Sequence, residues 1–260
     1  MNEIARVAAA SIGVFAAMLV CLEVGYRLGS RHARVGLNAL QGVGAVEAAI
    51  FALLGLLLAF AFSGAMSRLE GRRELAVREA NAIGTAYLRI DVMPAPDQAE
   101  MRLLFRQYLA ARLRVYSDAP GLGEIDRRIE AASYLQKQIW KFAVASGRTD
   151  DTHYTPRFLL LPALNEMIDV TTARTVALHT HLPKLVVVLL IGFALVSGVL
   201  AGYAMSQRGR RGVLHMIVYA AAVSMTVYTI FDLDNPRVGL IRLEAAEIEL
   251  DRLYQSIEKE

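Results

Sequence analysis

The chain has 260 residues, 55% of them hydrophobic and 20% charged, with a net charge of +3 at pH 7. Its one cysteine, Cys21, excludes a disulfide framework. The modest charge, without clustered basic and aromatic residues, excludes a nucleic-acid-binding surface, and the segregation of charge from long apolar runs excludes an ordinary soluble domain.

Four uncharged stretches organise the chain: residues 7–22, 48–67, 185–207 and 212–231. A bilayer core takes about 20 mostly apolar residues per helix. The last three stretches meet that length directly. The first is shorter, but Arg6 and Glu23 can snorkel and residues 24–28 extend it. It is longer than a signal-peptide core and is followed by Glu23 and Arg27, so it reads as a retained helix. The expected fold is an all-α integral membrane protein, with four transmembrane helices in a 2+2 arrangement around a helical extramembrane domain. The expected boundaries are 1–66 for the first transmembrane pair, 67–181 for the helical domain, 182–231 for the second pair and 232–260 for an acidic amphipathic tail.

In chain order, the first helix is predicted over 4–28, followed by a short basic loop over 29–42. The second helix begins near Val43. No breaker follows Met66, and residues 67–88 are good helix formers, so the helix is predicted to project beyond the membrane. Pro94 and Pro96 stop it. Asp97 is the expected N-cap of a helix over 98–116, whose apolar positions Met101, Leu104, Phe105, Tyr108, Leu109 and Leu113 follow the 3.6 period. An amphipathic helix over 124–145 comes next, with Ile125, Ile129, Ala132, Gln136, Ile139 and Ala143 on one side. Pro156 opens a helix running to about residue 180, and Pro183 marks a joint before the third membrane helix. The third and fourth membrane helices form a hairpin closed by the basic loop 207–211.

Short basic loops tend to stay in the cytoplasm. Arg27, Arg31 and Arg34 in one loop, and Arg208, Arg210 and Arg211 in the other, place both loops inside and the middle domain outside. Arg68, Arg72, Arg73 and Arg78 pull the opposite way.

Small residues recur at four-residue spacing. Ala48, Ala52, Gly55, Ala59 and Ser63 share one face of the second helix, and Gly25/Gly29 and Gly198/Gly202 repeat the theme. Such faces let helix backbones approach closely in lipid, which favours tight bundling and a homo-oligomer. On the other face, Glu47, Phe51, Leu54, Leu58 and Phe62 are the pore-lining candidates. In an oligomer they would form an acidic ring followed by apolar constrictions. The plainer readings are an interfacial Glu47 meeting Arg34 or head groups, and an apolar stripe used for packing.

Asn81 and Thr85 are four apart on the extension of the second helix. Asn165 and Asp169, with Glu166 adjacent, are four apart on a later one. If these helices pack, the five side chains form one buried polar network, with Arg89 and Arg174 as countercharges. Such a network fixes helix register or, less commonly, holds a hard cation. Asp232, Asp234, Pro236 and Arg237 form a turn at the membrane exit, where two carboxylates without an evident third ligand make a weak cation site. No metal site is expected: His179 and His181 diverge on a helix. Nor does any nucleophile elbow, P-loop, metalloprotease helix or paired CxxC appear, so no enzyme and no cofactor are expected.

Four segments carry a resemblance: 55–65 (GLLLAFAFSGA), 79–91 (EANAIGTAYLRID), 164–169 (LNEMID) with Arg174, and 231–239 (FDLDNPRVG). Together with the 2+2 layout, they make the chain resemble the bestrophin-like domain proteins, a bacterial and plant membrane family. The resemblance implies a layout shared with the pentameric bestrophin anion channels, whose second membrane helix lines the pore and whose middle region is cytosolic. The chain lacks the acidic run of a calcium clasp. The expected function is thus an oligomeric channel or ion-transport protein in the bacterial inner membrane, in contact with lipids and inorganic ions. The alternative is a non-conducting sensor or scaffold whose helical domain binds a partner or ligand.

Overall fold

A computed structural model describes residues 3–34, 43–116, 122–146, 155–206, 212–235 and 244–259. The described residues are almost entirely helical: α1 (Glu3–Arg34), α2 (Val43–Leu88), a 3-10 turn (Arg89–Val92), α3 (Ala95–Tyr116), α4 (Leu122–Ser146), α5 (Thr155–His179), α6 (Lys184–Ser206), α7 (Val213–Asp234) and α8 (Glu244–Glu258). Four stretches are long and apolar enough to cross a membrane: Ser11–Ala33, Gly44–Val92, Phe158–Ser206 and Val213–Asp234. The apolar run of the third is α6.

The chain forms two compact units. The first comprises Met1–Leu69 and His181–Arg242, the second Glu70–Thr180 and Leu243–Glu260. The boundary between them falls inside α2, which continues for 46 residues without a break.

In the first unit, Met18, Leu22, Leu54, Ala194, Met216, Ala220 and Val223 form the core, with Phe51, Leu58, Phe193 and Tyr219 packed on it. The Tyr219 hydroxyl donates to Ser197 Oγ at 2.8 Å, which satisfies a polar pair inside an apolar bundle. α1 and α6 meet through their glycines. A Cβ on Gly25 would collide with the Val199 carbonyl, one on Gly202 with the Leu22 carbonyl, and one on Gly29 with the Ser206 hydroxyl. Rising numbers in α1 meet rising numbers in α6, so the two helices run parallel.

The second unit is a helical bundle. Met101, Phe105, Tyr108 and Leu109 of α3 pack with Ile125, Ala132, Ile139 and Ala143 of α4 and with Ile83, Ala86 and Tyr87 of α2. α8 buries Leu250 and Ile257 in this core. Asp97 is not an N-cap. α3 starts two residues earlier, at Ala95, and the Asp97 carboxylate instead accepts a hydrogen bond from the Ser146 hydroxyl of α4. Pro183 forms the expected joint, its carbonyl receiving the Val186 and Val187 N–H groups that open α6.

Candidate functional site

The face of α2 that carries Glu47, Phe51, Leu54, Leu58 and Phe62 packs largely inward in the first unit. Leu54 is 4% exposed and sits in the core. Phe51 stacks edge-on against Tyr219, with ring centroids 6.2 Å apart, and Leu58 packs against the same core. Three of the five pore-lining candidates therefore serve internal packing, and of the apolar four only Phe62, at 43%, is exposed. Glu47 is half-buried and makes no ion pair among the described residues; the Arg34 side chain proposed as its partner lies outside them. The small-residue face is the open one: Ala48, Ala52, Gly55, Ala59 and Ser63 are all exposed. A Cβ on Gly55 would meet nothing within 4 Å. Close approach within the chain is thus carried by the glycines of α1 and α6, and the small face of α2 is left unused.

In the second unit, the predicted buried network is replaced by another. Asn81, Thr85, Asn165, Glu166 and Asp169 are exposed. The buried polar cluster instead centres on Glu79, which is 0% exposed. Glu79 and Asn81 are two apart, so they point to different faces of α2. The Arg112 Nε donates to Glu79 Oε1 at 2.6 Å, and Arg174 Nη1 pairs with Glu79 Oε2. Arg112 also donates to the Tyr116 hydroxyl at 2.5 Å, and the Arg174 guanidinium lies 3.6 Å above the Tyr116 ring. The Thr171 hydroxyl donates to the Met167 carbonyl at 2.7 Å and lies 3.1 Å from the Tyr108 hydroxyl.

Burial works against the Arg112 charge, but Tyr116 and Glu79 outweigh it and hold the guanidinium above its ordinary value. Burial raises the Tyr108 phenol above its ordinary 10.0 and keeps it neutral. Two cations stacked and bridged by one carboxylate form a structural clamp joining α2, α3 and α5. Of its members, sequence reasoning found only Arg174, as a spare countercharge. Glu79 opens the segment 79–91, and Arg112 stands four residues after Tyr108 on an apolar helix face. A charge in that register is the signal that points to a buried pair.

Asn81, Thr85 and Glu166 do come together, at the surface. With Arg78, Ala82, Arg89, Pro162 and Ala163 they line a groove of about 340 Å³ between α2 and α5. Asn165 and Asp169 are not part of its lining. Arg78 Nη2 faces Glu166 Oε1 at 3.4 Å, and Arg89 Nη1 donates to the Leu159 carbonyl at 2.6 Å.

At the end of α7, Asp232 and Asp234 are both buried. Asp234 Oδ1 accepts from Arg68 Nε at 2.7 Å, and Oδ2 accepts from the Leu182 N–H at 2.8 Å, with His181 Nδ1 3.7 Å away. Asp234 therefore ties the start of α6 to α2 within the first unit, and its oxygens are spent on donors instead of a cation. Pro236 and Arg237 lie outside the described residues. Among the described residues, no three His, Cys, Asp or Glu side chains are grouped to hold a metal.

No curated protein sequence matches the chain. Solved structures do. A bacterial bestrophin homologue from Klebsiella pneumoniae aligns with a TM-score of 0.71 at 12% identity, over 96% of this chain and 98% of that one. Two of its single-substitution variants align at 0.71 with 14% identity, over 98% of each chain, and at 0.69 with 12% identity, over 94% of this chain and 99% of that one. At such identities the likeness is one of fold. The bestrophin-like domain model matches residues 12–248. This helical membrane protein, with its four apolar spans, belongs to the bestrophin-like family.

Proposed function

We propose that the chain assembles into a homo-oligomeric, non-enzymatic ion-conducting protein of a bacterial inner membrane, with α2 lining the path. In this reading two spans precede and two follow the helical domain 67–181, the 2+2 layout. The observation that carries the reading is the open face of α2. Inside an apolar span, Ala52, Gly55, Ala59 and Ser63 are exposed while Phe51, Leu54 and Leu58 are committed to the core. Arranged around an axis, such small side chains and the Ser63 hydroxyl line a path, and wider rings than phenylalanines would give. Asp232 and Asp234 brace the end of α7 in this reading. Inorganic ions and lipids are the partners it requires.

Proteoliposome flux tests it. The purified protein should pass ions above empty vesicles in at least one of several salts. No flux in any salt or at any pH would overturn the reading and leave a ligand-binding sensor in its place.

A further inference from the structure

We propose that the groove between α2 and α5 binds a small organic monoanion, a carboxylate with a short apolar body. The site belongs to the second unit alone and does not depend on conduction.

The donors stand in one line. Arg78, Asn81 and Thr85 follow at helical spacing along α2, and Arg89 continues the row from the turn that ends it. A guanidinium, an amide and a hydroxyl in sequence suit a planar two-oxygen acceptor, because a guanidinium and a carboxylate match in a parallel pair of hydrogen bonds. The opposite wall is apolar. On α5 it is formed by Pro162 and Ala163 beside Glu166, and Ala82 adds an apolar patch on α2; Pro162 lies inside α5, where its ring carries no N–H. Arg89 reaches across to the Leu159 carbonyl, which holds the two walls together.

Charge sets the ligand's valence. The groove holds Arg78 and Arg89 against Glu166, an excess of one positive charge. Arg78 and Glu166 are both more than half exposed and stand 3.4 Å apart. An ion pair so open to water contributes little, so a carboxylate can displace Glu166 from Arg78 at small cost. The volume of about 340 Å³ falls at the small end of small-molecule sites and admits a molecule of a few carbons.

The test is calorimetric titration of the full-length protein in detergent with sodium butyrate and sodium benzoate, against their uncharged amides. The wild type should bind a carboxylate and neither amide. Arg78→Gln should weaken binding about 10-fold or more, the loss expected for a charge-assisted pair. Glu166→Gln should tighten it by roughly 2- to 5-fold, since it removes the competing acid. A purely structural role for the Arg78–Glu166 pair would move both variants the same way, so opposite signs support the site. Thermal unfolding without ligand should leave both variants within a few degrees of the wild type. Failure of either carboxylate to bind, binding retained in Arg78→Gln, or weakening in Glu166→Gln would overturn the proposal, the last in favour of a zwitterion. Displacement of butyrate by chloride at equal concentration would also overturn it, leaving a simple anion site.

Discussion

Glu79 holds two arginines in a place water does not reach, and the energetics are asymmetric. Replacing the whole cluster with apolar residues could be neutral, whereas removing only the carboxylate leaves two buried, unpaired cations. Glu79→Gln should therefore destabilise the second unit by about 3–5 kcal/mol, read from thermal or denaturant unfolding in detergent. Asn81→Ala, two residues along on the exposed face, should stay within about 0.5 kcal/mol. The pair of variants separates the buried cluster from the surface groove. Tyr108 adds a pH signature. Burial raises its folded pKa above the ordinary 10.0, so its neutral form is favoured in the fold. The contribution is complete below pH 10 and is lost as pH climbs above that value toward the folded pKa. Tyr108→Phe should flatten the alkaline fall in stability relative to wild type, and an unchanged slope would count against it.

At the scale of the element, α2 carries the proposed path. Ala59→Trp places a large ring on the open face and should cut vesicle flux by about 10-fold or more if that face lines the path. Leu54→Ala opens a cavity in the core instead. It should cost about 2–5 kcal/mol of stability, with little direct effect on a path it does not touch. The helix and its length were legible from the sequence, because no breaker interrupts residues 43–88. Which face it buries was not. In a soluble helix, polarity marks the outside, but in a membrane span both faces are apolar and periodicity alone cannot tell core from lipid or path. Phe51 and Leu58 read as constrictions or, more plainly, as packing, and in the fold Phe51 stacks on Tyr219, far along the chain, while Leu58 joins the same core. The polar sites show the same limit. Asn81 and Thr85 line a groove with Glu166, while Asn165 and Asp169, their expected partners, do not line it. Their burial was overestimated, because the interior beside them was already filled by Glu79 and the two arginines, which come from α3 and α5.

For the molecule as a whole, the four apolar spans could be read from hydropathy, and the fit of α1 to α6 could be read in part from glycines. Gly25 and Gly202 each stand against a backbone carbonyl with no space for a side chain. Gly202→Leu should force α1 and α6 apart, costing about 1–3 kcal/mol or more and lowering the yield of folded protein, measured by fluorescence-detected size-exclusion chromatography. The same substitution at Gly55, which faces open space, should leave the fold intact.

The pairing of α1 with α6 also sets a timetable for synthesis. The two helices fit glycine to backbone, yet about 150 residues separate the end of one from the start of the other, or roughly 8–30 s of translation at about 5–20 residues per second. Throughout that interval α1 sits in the bilayer with its glycine ridge facing lipid or an insertion factor, because its partner has not yet left the ribosome. Nascent chains stalled before residue 184 should therefore be the ones that membrane quality-control proteases clear first, and those stalled beyond 206 should be spared.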